Sequence, residues 1–243
     1  MTTLFISDLH LEEERPEITR AFFEFLDNKA QGIDALYILG DFFEAWIGDD
    51  ENTPLQVKVK SKLRETSDSG THIFLMHGNR DFLIGQQFCE ETGATLLEDP
   101  TTVNLYGKDV LLMHGDSLCT NDIEYMKFRK NMRDSEWQVL FLKRSLPERQ
   151  IVAQQLRTIS QAKNKGKTLE IMDVTPSEVE SSLVKYNVNT LIHGHTHRPA
   201  IHEIEANGRA AKRIVLGDWD KNVWYLKADA TGEIELLSHP LEH

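Results

Sequence analysis

Ala35-Leu36-Tyr37-Ile38-Leu39-Gly40-Asp41 is an unbroken apolar run that stops at a glycine and a carboxylate. So short a run, rich in branched and aromatic residues, suits a strand buried on both faces. The same form recurs along the chain. Leu4–Ser7 precedes Asp8-Leu9-His10, and Ile73–Met76 precedes His77-Gly78-Asn79-Arg80-Asp81. Val110–Met113 precedes His114-Gly115-Asp116, and Thr190–Ile192 precedes His193-Gly194-His195-Thr196-His197. Helical patterns lie between several of these runs. Ile18, Phe22, Phe25 and Leu26 follow Pro16 at helical spacing, as do Leu55, Val59 and Leu63 further on. Thr175-Pro176-Ser177-Glu178 has the form of a capping box with proline at the first helical position, which predicts a helix to about Tyr186. Strand–helix alternation predicts an α/β sheet.

Two regions depart from that alternation. From Ile201 onward, runs such as Arg213–Leu216, Val223–Lys227 and Glu233–Leu237 are separated by Asn-Gly or Thr-Gly turns. This is hairpin chemistry, so the second half is expected to supply an antiparallel sheet. Between Asp122 and about Met172 there is no strand pattern, only helical ones such as Ile151, Leu156 and Ile159. The expected organisation is a core formed by residues 1–121 and 173–240, with a helical insertion at 122–172 over the strand ends. Leu241-Glu242-His243 reads as the start of a histidine tag and is set aside.

A net charge of −12 argues against general nucleic-acid binding. Its distribution says more. Residues 127–167 carry eleven Lys/Arg against three acids, a net of +8 inside an otherwise acidic chain. Such a block suits a local anionic partner, or equally a solvated helix face. Cys89 and Cys119 form no CxxC pair and no disulfide framework, as expected in a reducing compartment. The N-terminus reads as a first strand and not as a signal peptide. No run approaches the roughly 18 apolar residues that cross a bilayer. The expectation is a soluble protein, or one resting on a membrane surface.

Ligands of α/β sheets bind beyond the carboxyl ends of strands. Here carboxylates, an amide and imidazoles all fall at such ends, and that shared placement argues for one site. The donors are oxygen and imidazole with no thiolate, a set that suits Mn²⁺ or another borderline divalent ion better than structural zinc. Two ions about 3.5–4 Å apart acidify water and neutralise phosphoryl oxygens, so the expected chemistry is metal-dependent cleavage of phosphate esters or anhydrides.

The order DxH, GD, GN(H/R)D, H and GHxH resembles that of the calcineurin-like metallophosphoesterases. The resemblance implies a sandwich of two mixed β-sheets flanked by helices. It implies one ion on Asp8, His10, Asp41 and His197, and a second on Asp41, Asn79, His114 and His195, with Asp41 bridging. His193 and His77 fall outside that pattern. Arg80 stands where the family often has a histidine that protonates an alkoxide. A guanidinium releases no proton near neutrality, whereas a phosphate leaving group, with a second pKa of about 6, needs little protonation. Arg80 therefore favours a phosphoanhydride, with its fork clamping the phosphate; the alternative is that it only binds substrate in an ordinary phosphatase.

Longer stretches narrow the resemblance. They are Gly40–Asp50, His77–Gly85, Met113–Thr120 and Leu191–Arg198. They are similar to the branch of the family that hydrolyses UDP-2,3-diacylglucosamine in lipid A synthesis. That similarity implies two Mn²⁺ ions and water attacking the α phosphorus. The implied products are UMP and 2,3-diacylglucosamine 1-phosphate, formed peripherally at the cytoplasmic face of the inner membrane. Asp41, Asn79, Arg80 and His195 are the implied catalytic residues. Asn79, Arg80, Asp122, Ser160, Asn164, Lys167 and His195 are the implied substrate contacts. Ser160, Asn164 and Lys167 recur at a spacing that gives one helical face. Trp137, Leu140, Phe141 and Leu146 are expected either to line an acyl chamber or to pack the insertion together. Basic residues around them would favour an anionic inner-membrane surface. Asp81 leads Asp49, Asp50 and Asp116 as the carboxylate expected to orient a ligand histidine, and Asp49 and Asp50 read better as a surface turn. A phosphoesterase for soluble nucleotides or phosphoproteins is the enzymatic alternative. A scaffold that has lost catalysis would typically lack ligands, and this chain keeps all seven.

Overall fold

A computed structural model describes residues 1–164 and 171–242, with side chains of the first stretch described to residue 159. Strands β1 (Thr2–Ile6), β2 (Ala35–Leu39) and β3 (His72–Met76) alternate with helices α1 (Pro16–Lys29) and α2 (Pro54–Asp68). Helix α3 (Gln86–Thr92) and strands β4 (Thr95–Leu97), β5 (Thr101–Leu105) and β6 (Lys108–Met113) follow. Three helices come next: α4 (Ile123–Met132), α5 (Ser135–Leu142) and α6 (Leu146–Asn164). Helix α7 (Pro176–Tyr186) leads to β7 (Thr190–His193), β8 (Ala200–Ala206), β9 (Arg209–Val215), β10 (Asn222–Asp229) and β11 (Ile234–Pro240).

Two mixed sheets result, ordered β11-β10-β1-β2-β3-β4 and β5-β6-β7-β9-β8. The central strands β1, β2 and β7 are buried on both faces, and neighbouring residues divide between layers as strand geometry requires. Leu4 and Ile6 pack with Ile18, Phe22 and Leu63 beneath α1 and α2, whereas Phe5 between them joins Leu112, Ile192 and Leu226. On β6, Leu112 faces that inner layer while Leu111 and Met113 meet Val179 and Leu183 of α7. The architecture is thus helix, sheet, sheet, helix.

Two sequence expectations change. The C-terminal strands do not form one antiparallel sheet. The β8–β9 hairpin joins the second sheet, where β9 runs parallel to β7, and the β10–β11 hairpin extends the first sheet through β1. Local turns specify each hairpin, but which sheet it joins depends on a partner strand far away in sequence, β7 for β9 and β1 for β10. Second, Thr175 does not cap α7 with its side chain. Its hydroxyl pairs instead with Thr120 Oγ1 at 2.9 Å and accepts from the Asn121 N–H. The complete capping box belongs to Thr53 and Gln56 at the start of α2. Among the described residues no helix is long and apolar enough to cross a membrane.

Candidate metal centre

Every expected ligand lies in the turn that follows a strand. Asp8 and His10 follow β1, Asp41 follows β2 and Asn79 follows β3; His114 follows β6, and His195 and His197 follow β7. The first group leaves one sheet and the second leaves the other, so the site sits at the seam of the sandwich. Backbone bonds stitch the turns together: Asp8 N–H donates to Gly40 O at 3.1 Å, His10 N–H to Asp41 O at 3.0 Å and Gly194 N–H to His114 O at 2.9 Å. The turns are so close that a Cβ on Gly78 would overlap the Asp41 backbone, and one on Gly194 would strike the Ser7 side chain. Among the described residues eight non-glycines have positive φ, and five of them are Asp8, His10, Asp41, His195 and His197. Left-handed backbone at non-glycine residues costs on the order of 1–3 kcal/mol each and gathers at functional sites.

Two triads converge there, Asp8–His10–His197 and Asp41–His114–His195, each with its donor atoms within 4.8 Å of one another. Asp41 faces both. Its Oδ2 lies 3.8 Å from His10 Nε2 and its Oδ1 lies 3.8 Å from His114 Nε2. Asn79 Oδ1 is 3.1 Å from His114 Nε2, which adds an amide oxygen to the second group. Asp8 Oδ2 accepts from Ser7 Oγ and from His195 N–H, while Oδ1 is buried with no hydrogen-bond partner, 3.4 Å from His197 Nε2. A buried carboxylate oxygen left unpaired beside convergent imidazoles fits a cation.

The electrostatics agree. Burial opposes charge on His114, yet Asp41, Asp116 and Asp8 raise its pKa to about 9. His197 is likewise penalised by burial but lifted to about 11 by Asp8 and Asp218. Burial, with the positive charge of His114, pushes His195 down to about 3. Burial would raise Asp8, but His197, His114 and His10 hold it well below the usual carboxylate range. These carboxylates demand positive charge, and the mixed oxygen and imidazole donors fit two divalent ions.

The remaining expected residues divide. Asp81 touches no imidazole. Its buried carboxylate instead accepts from Gly78 N–H at 2.8 Å and Phe42 N–H at 2.7 Å, fixing the turns that carry Asn79 and Asp41. Carboxylates facing ligand histidines are Glu44, 2.7 Å from His10 Nδ1, and Asp218, 3.4 Å from His197 Nδ1. Both were missed; Glu44 was detectable as an acid three residues beyond Asp41, whereas Asp218 had no cue. Asp49 and Asp50 do form a turn, with Asp50 exposed, but both carboxylates are engaged. Asp49 accepts from Trp46 Nε1, Gly85 N–H and Phe88 N–H, and Asp50 pairs with Arg149. Asp116 accepts from Tyr125 OH and Arg129 Nε, each at 2.8 Å. His77 Nε2 lies 2.7 Å from Ile84 O, and His193 Nδ1 lies 2.8 Å from Gly194 O, so neither joins a triad.

Arg80 donates its backbone N–H to Asp41 Oδ1, and its Nε is buried without a partner. Asp122 caps α4, accepting from Tyr125 N–H at 3.0 Å. The side chains of Ser160 and Asn164, and all of Lys167, lie outside the described residues. A cavity of about 360 Å³ opens beside Asn79 and Arg80. Trp46, Phe82, Phe128, Trp137 and Phe141 line it. Of the expected apolar set, Trp137 and Phe141 reach this cavity; Leu140 is exposed, and Leu146 packs against the core.

A calcineurin-like phosphoesterase family model matches residues 1–199. The chain is 65% identical over 241 residues to a UDP-2,3-diacylglucosamine hydrolase of Marinobacter nauticus, covering 99% of each. The chain belongs to the calcineurin-like phosphoesterases. Within that family it sits among the UDP-2,3-diacylglucosamine hydrolases, since a Pseudomonas fluorescens relative of that name is 59% identical, covering 94% of this chain and 92% of its own. It is a metal-dependent hydrolase. A solved archaeal phosphodiesterase shares the fold at 14% identity, with a TM-score of 0.50 over 98% of this chain and all of its own.

Proposed function

We propose that the chain hydrolyses the pyrophosphate bond of UDP-2,3-diacylglucosamine, releasing UMP and 2,3-diacylglucosamine 1-phosphate. The observation that carries this reading is the aromatic-lined cavity opening directly onto Arg80 and Asn79 beside the two triads. Acyl chains would bury apolar surface against such walls at roughly 25 cal/mol per Å².

Asp8, His10, Asp41 and His197 would hold one Mn²⁺, and Asp41, Asn79, His114 and His195 the other. When bound, such a pair supplies a nucleophile at neutral pH by acidifying water, and neutralises phosphoryl charge. Arg80 clamps the diphosphate with a guanidinium that has donors to spare. It holds the lipid phosphate as the group that departs when water attacks the α phosphorus. Asp122, Ser160, Asn164 and Lys167 contact the sugar phosphate from residues 122–172, an insertion whose α4, α5 and α6 wall the cavity. Val139 and Leu140 stand exposed on α5 near Lys143 and Arg144, a composition suited to peripheral attachment at the anionic cytoplasmic face of the inner membrane.

The test is Mn²⁺-dependent hydrolysis in ¹⁸O-water, comparing the acylated substrate with unacylated UDP-sugar and an aryl phosphate. Selective cleavage of the acylated substrate with label in UMP is expected. Equal turnover of the simple substrates would refute the lipid assignment, and label in the sugar phosphate would refute attack at the α phosphorus.

A further inference from the structure

We propose that Glu44 is a positioning residue that couples the ligand His10 to helix α6, using one carboxylate oxygen for each. The carboxylate stands on a fixed base: Glu44 N–H donates to Leu11 O at 3.2 Å, beside a parallel bridge between Leu11 and Phe43. Its Oε2 accepts from His10 Nδ1 at 2.7 Å. Its Oε1 accepts from Arg157 Nε at 3.0 Å and Nη2 at 2.7 Å, with Arg80 Nη1 at 3.5 Å. Arg157 also reaches Glu12 at 3.0 Å.

The two halves of this contact do different things. A carboxylate on Nδ1 keeps the proton there, turns the Nε2 lone pair toward Asp41 and His197, and makes the ring a better donor. On the other side, Arg157 fixes the part of α6 that lines the cavity. Arg149 makes a separate tie near the start of that helix, to Ile47 O and Asp50. A ring turn at His10 therefore moves the only oxygen of Glu44 that is not on the guanidinium side, and the helix wall feels it. Glu44 is 14% exposed at the side chain, so water does not compete strongly with either partner.

This inference rests on His10 holding an ion, and its test uses Mn²⁺ alone with no substrate. Free Mn²⁺ would be titrated by electron paramagnetic resonance, and amide hydrogen exchange of residues 146–159 followed with and without the ion. Glu44→Ala is expected to weaken Mn²⁺ binding by about tenfold or more and to abolish ion-induced protection of α6. Arg157→Ala should keep Mn²⁺ affinity within about threefold yet lose that protection. Glu44→Gln retains an acceptor for one partner only, so it should recover metal affinity without recovering α6, and it serves as the readout if the alanine variant fails to fold. Mn²⁺ affinity of Glu44→Ala within about twofold of the parent, or protection unchanged in it, would overturn the coupling. A parent protein that binds no Mn²⁺ would overturn the metal reading itself.

Discussion

Replacing Asp81 by asparagine changes one oxygen to an amide nitrogen at a point where the chain has no spare acceptor. The carboxylate is fully buried, with Gly78 N–H on Oδ1 and Phe42 and Phe43 N–H on Oδ2 at 2.7 and 3.4 Å. Asparagine keeps one acceptor and turns an NH₂ toward a backbone donor. The loss is one charge-assisted hydrogen bond plus a buried N–H left unpaired, together about 2–4 kcal/mol. For a chain of this size that lowers Tm by about 4–16 °C. Thermal unfolding of both proteins in chelator isolates this effect from ion binding. The released N–H belongs to the turn of Asp41 or of Asn79, so Mn²⁺ affinity should fall as well. A Tm within about 2 °C of the parent, with unchanged Mn²⁺ affinity, would refute the assignment of Asp81 as the brace between these turns.

Asp41→Ala should abolish turnover while leaving a folded protein, since the two oxygens of Asp41 each face an imidazole of a different triad; near-normal rates would refute a shared carboxylate. Burial, then Asp116, raises Asp99 to about 6, and both of its carboxylate oxygens lack hydrogen-bond partners. Its folded pKa lies above the unfolded value of about 3.9, so ionised Asp99 opposes folding, and Asp99→Asn should stabilise increasingly from pH 4 to 6 and then level off. The ceiling is about 3 kcal/mol, read by urea unfolding at pH 8 and pH 4, and an equal gain at both would refute it. Chelation should lower Tm, with recovery on adding excess Mn²⁺; an insensitive Tm would count against ions at the seam. Phe141→Asp should raise KM for an acylated substrate more than for an unacylated one, and equal effects would remove the cavity from acyl recognition.

The strand ends and their donors were legible because each element announces itself locally: Leu36 to Asp41 reads as strand then turn without reference to anything else. All seven expected ligands fall into the converging turns for that reason. What escaped depends on distance along the chain. Nothing near Asp218 marks it as a partner of His197, and Asp81 resembles a histidine's partner until the Gly78 and Phe42 amides are seen to claim it. Thr175 shows the same limit from the other side: its local pattern is that of a cap, but Thr120 arrives from another part of the fold and takes the hydroxyl. Short edge strands such as β4, three residues long, carry too little pattern to declare themselves.

His10 and His197 stand 187 residues apart in the chain, with their Nε2 atoms 3.4 Å apart. An ion held between the two turns would therefore be a clasp closing about three quarters of the chain into a ring. Until β7 has taken its place, each donor set lacks one of its four members, His197 in one and His195 in the other, so neither set is complete until late in folding. After a cut in a surface loop between those histidines, shared ions would tie the two pieces together in addition to the pairing of β1 with β10 and the packing of Phe5 against Leu226.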